Sequence, residues 1–257
     1  MTIKLSGINR KQRTQRAIEL YQKGYSYKQV AEIIGMSKSG IQYIIQNNNI
    51  PIRTISDYDQ RKYFIKDDFF KSLDSELSSY WLGYLMADGY VSENKNEIIL
   101  TSKDKITIEN FQKDLNTNYP ITIKQSKYYS IVIISKLIKK DLIRIGCTPR
   151  KTFTLQFPCV PMKVINHFIR GYFDGDGSIW YDSQVNSLRS EFLGTYNFLL
   201  EIKNQINLNS KANILPKGNI YRYSVSGNNL NTTLKQYLYK DATRYLERKK
   251  ERFEKYL

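Results

Sequence analysis

Histidine and cysteine are scarce in this sequence. Its 257 residues include one histidine, His167, and two cysteines, Cys147 and Cys159, which form no CxxC pair. A single histidine excludes HExxH zinc proteases and other mechanisms that need two, and the cysteine spacing excludes a disulfide framework or a zinc finger. A Ser-His-Asp triad on His167 stays formally possible, but no GxSxG motif supports it. We expect reduced thiols, and a His167 that packs or faces solvent.

Long apolar runs are also missing. No window approaches 18 uncharged apolar residues, and the N-terminus lacks the apolar core of a signal peptide. We therefore expect no membrane partner and a cytoplasmic location. Hydrophobic residues make up 41% of the chain, including 21 tyrosines and 11 phenylalanines. This is enough apolar surface for a folded protein.

Positive charge is in excess and is unevenly distributed. The chain has 40 basic and 24 acidic residues, for a net charge of +16. Residues 1–66 hold 12 basic and 4 acidic residues, so a quarter of the chain carries half of the net charge. Neutralising phosphates releases counterions and favours binding, so nucleic acid is the expected partner. A merely solubilising surface is the alternative.

The N-terminal segment predicts three short helices, assigned to a domain at 1–50. Apolar residues recur at helical spacing in 13–23, Gly24 ends that helix, and Ser26 and Ser37 are N-caps of the next two. The spacing Ala31-x-x-x-Gly35-x-Ser37-x-x-x-Ile41 resembles a helix-turn-helix. Val30, Ala31, Ile33, Ile34, Ile41, Ile44 and Ile45 are expected to face inward. The third helix would present polar side chains suited to base edges and phosphates: Lys38, Ser39, Gln42, Tyr43 and Gln46. The alternative is a three-helix packing unit without a DNA role.

A basic linker is predicted at 51–74. The asparagine run before Pro51 stops the third helix. Arg53 could follow a DNA backbone or a minor groove, although ordinary solvated charge explains it equally well.

Two segments of the remaining chain are similar to each other. WLGYLMADGY at 81–90 and IRGYFDGDGS at 169–178 are both apolar helices with glycine third and tyrosine fourth. Both end in a small residue, aspartate and glycine, which places Asp88 and Asp176 at equivalent positions 88 residues apart. The first copy is followed by predicted strands at 90–93, 97–102, 120–125 and 128–134 with helices at 104–115 and 136–145. The second is followed by strands at 178–182, 188–194, 211–215 and 219–225 with helices at 196–207, 228–239 and 242–256. Both halves read αββαββα, which predicts a pseudo-two-fold domain with repeats at 75–160 and 161–257.

The duplicated segments resemble the LAGLIDADG motif of homing endonucleases and intron maturases, in the single-chain form with two copies. The resemblance covers residues 75–257, and an N-terminal helix-turn-helix is typical of phage and bacterial members. It implies an α+β fold: a pseudo-two-fold αββαββα core with saddle-shaped antiparallel sheets, preceded by an all-α helix-turn-helix domain. A bacterial or phage-infected cell is the implied setting.

The residues of the motif explain why two copies are needed. Gly83 and Ala87 share one helix face, as do Gly171 and Gly175, so two helices can touch and end together. Two carboxylates beside two negative helix ends call for a cation, and an all-oxygen site suits Mg²⁺. The resemblance likewise implies metal binding by Asp88 and Asp176, with Mn²⁺ as a substitute. Whether the backbone at Ala87 adds a ligand stays open. Asp174 is expected to hydrogen-bond locally rather than bind metal, and a turn is the alternative for each Asp-Gly.

The family also uses a basic residue near each scissile phosphate. The matching contexts give Lys151 and Lys249, with Lys250 an equal neighbour of the second. Such a lysine could stabilise the negative charge that develops during phosphodiester hydrolysis. Plain solvation or a surface phosphate contact is the alternative.

The strands predict a second set of DNA contacts. If core and DNA faces alternate along each strand, Thr122 and Lys124 face DNA while Ile121 and Ile123 face the core. By the same rule Arg222 and Ser224 oppose Tyr221 and Tyr223. Arg189 and Trp180 are further candidates.

The leading hypothesis is therefore a monomeric, Mg²⁺-dependent endonuclease that breaks double-stranded DNA at a long site. The resemblance implies short 3′ overhangs and intron homing. The alternatives are a non-cleaving DNA-binding regulator on the same scaffold and a maturase that binds intron RNA. Retention of both aspartates disfavours the regulator.

Overall fold

The first helices begin and end at local sequence signals. This computed structural model describes residues 10–23, 25–52, 62–208 and 212–257, so Gly24 lies outside it. Ser26 caps the second helix in a capping box with Gln29, and Ser37 caps the third by accepting from the Gly40 N–H. Gly35 ends the second helix with a φ of 73°, which glycine adopts without strain. The resulting helices are α1 (Arg10–Gln22), α2 (Tyr27–Ile34) and α3 (Lys38–Asn47).

These helices share a small apolar core. It contains one face of each helix, with the largest contributions from Leu20, Tyr21, Val30, Ile41 and Ile45. Ile44 and Ile34 also pack there, but Ile33 is 43% exposed, so its expected inward position is wrong. The reason is that α2 has only eight residues, and the i, i+3, i+4 positions of two turns supply a single buried stripe.

The rest of the chain repeats one order of elements, and the second copy ends in one additional helix. In the first copy this order is α4 (Glu76–Asp88), β1 (Tyr90–Val91), β2 (Glu97–Ser102), α5 (Lys105–Asp114), β3 (Ile121–Lys124), β4 (Tyr128–Ile134) and α6 (Lys136–Ile145). In the second it is α7 (Ile165–Asp176), β5 (Ser178–Asp182), β6 (Ser187–Gly194), α8 (Tyr196–Ile206), β7 (Ile214–Lys217), β8 (Ile220–Ser226), α9 (Asn228–Tyr239) and α10 (Glu247–Tyr256). The predicted αββαββα repeat and the α+β class are confirmed.

Each copy folds its strands into a four-stranded antiparallel sheet with the same topology. The strand orders are β1-β2-β4-β3 and β5-β6-β8-β7. Alternate residues such as Ile98, Leu100, Phe192 and Tyr223 point into the core, which also contains α4 and α7. One continuous core therefore joins the two copies.

The segment expected as a linker contributes to this core. Ile65, Phe70 and Leu73 are buried among its residues. The chain divides into two units, Met1–Lys62 and Tyr63–Leu257, so the expected linker at 51–74 is shared between them. Arg53 lies outside the described residues.

Two predicted elements begin later than expected. The strand placed at 211–215 spans Ile214–Lys217, and the helix placed at 242–256 begins at Glu247. The backbone N–H groups of Thr243 and Arg244 donate to the Glu76 carboxylate instead of forming helical bonds. A distant side chain therefore satisfies the donors that a helix would have used. None of the helices in the described residues is long and apolar enough to cross a membrane.

Candidate active site

Helices α4 and α7 touch backbone to backbone. A Cβ atom added to Gly83 would lie 2.1 Å from the carbonyl oxygen of Phe168, and one added to Gly171 would lie 1.9 Å from that of Tyr80. Real Cβ atoms do not approach so closely, so only glycine fits at either position. The close approach predicted from the small residues is present in the structure.

The close packing continues to the ends of both helices. A Cβ atom on Gly175 would lie 2.3 Å from the Ala87 Cβ and 3.6 Å from the Asp88 Cγ. Both helices end at their aspartates, Asp88 and Asp176, and the following glycines turn into β1 and β5. The structure therefore brings together the two acids that the repeat placed at equivalent positions.

Protein surroundings make both carboxylates harder to ionise. Burial raises the pKa of Asp176 to about 6, with a contribution from the negative charge of Asp88. Burial also raises the pKa of Asp88, against the attraction of Lys249 and Lys151. Asp88 is solvent-exposed and Asp176 half-buried, so water reaches both carboxylates although protein surrounds them. Neither carboxylate accepts a hydrogen bond from a side chain or backbone group of the described residues.

Two lysines approach this pair in a related way. The Lys151 ammonium, on a 3-10 turn at Lys151–Phe153, donates to the carbonyl of Gly89, the residue after the first aspartate. The Lys249 ammonium, in the first turn of α10, donates to the carbonyl of Gly177 at 2.5 Å, the residue after the second aspartate. Each lysine thus holds the turn that follows one aspartate, although Lys151 lies on a 3-10 turn and Lys249 on an α-helix.

Lys249 is the more enclosed of the two lysines. It is 3% exposed and also donates to the carbonyls of Asp174, at 2.8 Å, and Phe173. Burial lowers its pKa to about 8, against the attraction of Asp174. Lys250 instead donates to the Tyr245 hydroxyl at 3.1 Å. The structure therefore distinguishes Lys249, which contacts the aspartate turn, from Lys250, although the sequence shows no preference between them.

Asp174 forms hydrogen bonds within the protein, but its partners are distant in sequence rather than local as expected. Its Oδ2 accepts from the Tyr80 hydroxyl at 3.0 Å and from the backbone N–H of Leu246 at 2.8 Å. Leu246 is the N-cap residue of α10, so Asp174 fixes the start of the helix that carries Lys249. The equivalent residue of the first copy, Met86, is 2% exposed and packs in the core.

The residues predicted on the first sheet occupy its face away from the core. Thr122 pairs with Ser130, and Lys124 pairs with Tyr128. Cross-strand partners share a face, and the adjacent pair of Ile121 with the fully buried Ile131 marks the core side. Ile123 was expected in the core but is 64% exposed, because β3 is an edge strand that α5 and α6 do not cover fully. We call the side of each sheet away from the core its open face.

The second sheet follows the same alternation. Trp180 pairs with Arg189 on the open face, and Arg222 and Ser224 lie there on either side of the buried Tyr223. Arg189 forms an ion pair with Asp182 at 3.0 Å. All four predicted residues therefore lie on the open face of this sheet.

Two features of the second unit were missed from the sequence. Glu191 is only 4% exposed although it lies on an open face, and Lys217 contacts it at 2.5 Å. The fully buried Arg170 donates to the Glu76 carboxylate at 2.6 Å and to the carbonyls of Leu238 and Arg244, both at 2.8 Å. Alternation along β6 could have placed Glu191, whereas the Arg170 contacts reach residues up to 94 positions away along the chain and leave no local signal.

His167 takes part in the same buried cluster. Its Nδ1 lies 2.8 Å from Arg170 Nη1, and burial lowers its pKa. The histidine therefore packs beside an arginine, as expected, at the helix end remote from the aspartates.

The N-terminal unit presents the polar face expected of α3. Lys38, Ser39, Gln42, Tyr43 and Gln46 are all exposed. Tyr43 is 63% exposed and is therefore open to a ligand.

The aspartate pair suits a divalent cation that retains water and substrate ligands. Within the described ranges, no three histidine, cysteine, aspartate or glutamate side chains converge as a complete protein cage. Mg²⁺ is commonly held by one or two carboxylates together with waters and phosphate oxygens. Asp88 and Asp176 fit that pattern, because no group in the described part of the chain donates a hydrogen bond to their oxygens, and burial together with their mutual repulsion raises the pKa of Asp176.

Comparisons with known proteins agree with the first copy of the motif. Residues 75–144 match the family model of the LAGLIDADG-like domain, and residues 12–49 match that of the putative ATPase subunit of terminase (gpP-like). No curated protein matches the chain.

Solved structures with similar folds have low sequence identity. The N-terminal LAGLIDADG domain of WhiA is 16% identical with a TM-score of 0.45, over 72% of this chain and 92% of that one. The I-LtrWI LAGLIDADG homing endonuclease bound to target DNA is 12% identical with a TM-score of 0.48, over 70% and 88%. The homing endonuclease I-DmoI, in mesophilic variants, is 18% identical with a TM-score of 0.43, over 67% and 97%. The family match at 75–144 is independent of these structures and agrees with the resemblance seen in the motif: the first repeat of this chain is similar to the LAGLIDADG-like domain family.

Proposed function

We propose that this protein is a site-specific endonuclease that cuts both strands of double-stranded DNA and requires a divalent metal ion. The observation that carries the proposal is the meeting of Asp88 and Asp176 at the adjoining ends of α4 and α7. A lysine contacts the chain directly after each acid. Two equivalent acid–lysine sets suit a reaction performed once on each strand.

Asp88 and Asp176 are the residues that would hold the metal, which we expect to be Mg²⁺ with Mn²⁺ as a substitute. Bound there, such an ion supplies Lewis-acid activation of water and neutralises charge on the phosphate. The carboxylates must be ionised to bind it, and burial raises the pKa of Asp176 to about 6 in the metal-free protein, so metal binding should weaken as the pH falls towards that value.

Lys151 and Lys249 add fixed positive charge on the protein side of the site. Both attract the Asp88 carboxylate, and their ammonium groups are held by backbone carbonyls rather than by acids. A preorganised cation of this kind stabilises the additional negative charge of the phosphodiester transition state. Holding the Gly89 and Gly177 carbonyls also keeps each aspartate at its position.

Recognition of DNA would use the open faces of the two sheets and the exposed face of α3. The sheets contribute Thr122, Lys124, Trp180, Arg189, Arg222 and Ser224, and α3 contributes Lys38, Ser39, Gln42, Tyr43 and Gln46. The charge excess of residues 1–66 supports a helix-turn-helix role for the N-terminal unit. Because one chain contains both repeats, we expect it to act as a monomer.

Cleavage of plasmid DNA tests the proposal. The full chain, incubated with Mg²⁺ and a plasmid carrying the genomic sequence that borders its own gene, should produce linear DNA with short 3′ overhangs. Asp88→Asn and Asp176→Asn should bind this plasmid without linearising it. Asp68→Asn is the matched control, since Asp68 pairs with the exposed Lys66 away from the site, and it should cleave like the unmodified chain.

Two results would contradict the endonuclease. Binding without cleavage in both Mg²⁺ and Mn²⁺ would identify a non-cleaving DNA-binding regulator. Cleavage that persists in Asp88→Asn and Asp176→Asn would place the reaction elsewhere.

A further inference from the structure

We propose that Glu191 is a specificity-determining residue that positions Lys217 and Arg222 to recognise guanine in one half of the DNA target. The inference rests on the proposed DNA-binding function. It assigns different base preferences to the two repeats, so the target would be asymmetric although the fold is duplicated.

Glu191 lies in a cluster of donors on the open face of the second sheet. Lys217 contacts its Oε1 at 2.5 Å, the Ser224 hydroxyl lies 3.3 Å from its Oε2, and Arg222 Nη1 lies 3.8 Å from the same oxygen. The Glu191 side chain is 6% exposed, while those of Lys217 and Arg222 are 47% and 44% exposed. The acid is thus enclosed, and its two cations remain open to a ligand.

The cluster lies close to the candidate active site. Glu191 pairs directly with Ser178, which follows Asp176 by two residues. Base pairs read by this cluster would therefore be near the centre of the target, in the half that the second repeat covers.

The first repeat has no such cluster at the corresponding positions. Tyr90, which follows Asp88 by two residues, pairs with Ile99, and Ile99 pairs with Val132. Ile99 and Val132 thus correspond to Glu191 and Ser224. Lys124 corresponds to Lys217, since each is the last strand residue before its hairpin turn, but no acid among the described residues contacts it.

The enclosed acid changes what its cations can do. A lysine or arginine free in solvent has many rotamers and binds phosphate as a charge. A carboxylate that holds the cation removes rotamers in advance and offsets part of its charge, so phosphate attraction falls while directional donation is kept. Guanine O6 and N7 are the acceptors that arginine and lysine read in the major groove. The apolar Ile99 and Val132 of the first repeat instead suit thymine methyl groups.

Selection from a library of randomised duplexes tests this inference, with the full chain in EDTA so that binding alone is measured. The variants are Glu191→Ile, which installs the first repeat's residue, Glu191→Gln, which keeps an acceptor, and the matched pair Lys217→Gln and Lys124→Gln. Binding curves at two salt concentrations and thermal melting accompany each selection.

The unmodified chain should enrich guanine at one or two positions in one half of the target. Glu191→Ile and Lys217→Gln should each lower discrimination at those positions by about tenfold, while the other half is unchanged. Glu191→Gln should retain part of the discrimination at those positions. Lys124→Gln should weaken binding to all duplexes alike and reduce the salt slope by about one.

Three outcomes overturn the inference. Glu191→Ile could leave the discrimination at the guanine positions unchanged. Lys217→Gln could weaken binding to all duplexes alike, as Lys124→Gln should. Either result would give Glu191 a structural role only. If Glu191→Ile fails to fold, the exposed Lys217→Gln still decides. If the unmodified chain enriches no duplex at all, the proposed function fails and the inference fails with it.

Discussion

Replacing Gly171 with alanine should force α4 and α7 apart. The new Cβ would lie 1.9 Å from the Tyr80 carbonyl oxygen, whereas ordinary contact begins at 3.4 Å. The two backbones must therefore separate by about 1.5 Å, because a carbonyl inside a helix cannot turn aside without breaking its own hydrogen bond.

The loss in free energy of unfolding follows from the packing around this contact. Overpacking a core typically costs about 1–3 kcal/mol, and a backbone-to-backbone clash belongs at the upper end. Alanine offsets about 1 kcal/mol of this through its higher helix propensity. The net loss is then about 2 kcal/mol, or a fall of roughly 4–8 °C in the melting temperature of a unit of this size. Cleavage should fall by about a hundredfold, because shifts near 1 Å misplace reacting groups.

Thermal melting and plasmid cleavage measure both effects. Gly40→Ala in α3 is the matched control, since its Cβ would meet only the ends of two side chains, at 3.1 and 3.4 Å. It should leave the melting of the second unit unchanged. A Gly171→Ala protein that melts and cleaves like the unmodified chain would refute the close approach of the two helices and the placement of Asp88 beside Asp176.

Three further predictions concern charged residues. Asp176→Asn should raise the melting temperature of the metal-free protein above pH ~7. The pKa of Asp176 is about 6 in the folded protein and ordinarily 3.8, so ionisation of this carboxyl opposes folding as the pH rises through that range, and the gain in melting temperature should vanish below pH ~4. An equal gain at pH ~7 and pH ~4 would contradict this prediction. Arg170→Leu should cost about 3–5 kcal/mol in urea unfolding, because the partly buried Glu76 loses its charge partner, whereas Arg189→Leu on the open face should cost less than about 1 kcal/mol. Lys249→Met should abolish cleavage with circular dichroism preserved and Lys250→Met should not; equal loss in both would contradict the assignment of Lys249.

Most helices and strands were predictable because their signals are local. Ser26, Ser37 and Gly35 act on groups within four residues, and the strand alternation around Thr122 and Arg222 has a period of two. The late start of α10 was not predictable, because its preceding N–H groups bond to Glu76 and Asp174 from other parts of the chain. Ile33 and Ile123 were misjudged for a related reason: both are apolar residues at positions that the neighbouring elements of the described structure do not cover fully.

The candidate site likewise has features that local sequence predicts and features that depend on distant contacts. The repeat and its small residues predicted that Asp88 and Asp176 would meet, since spacing on a helix face depends on the helix alone. The preference for Lys249 over Lys250 depends on where α10 starts, and α10 is anchored by Asp174, 72 residues away.

The sequence by itself determined the duplicated αββαββα order, the glycines at which two helices can touch and the acids at the ends of those helices. Each of these features depends on residues that are close together along the chain. Only the tertiary structure decided which lysine reaches each aspartate turn, what Asp174 and Arg170 hold, and that Glu191 holds Lys217. Those contacts join residues from separate elements, and the free energy that selects them comes from burial and hydrogen bonding that exist only after the elements have packed.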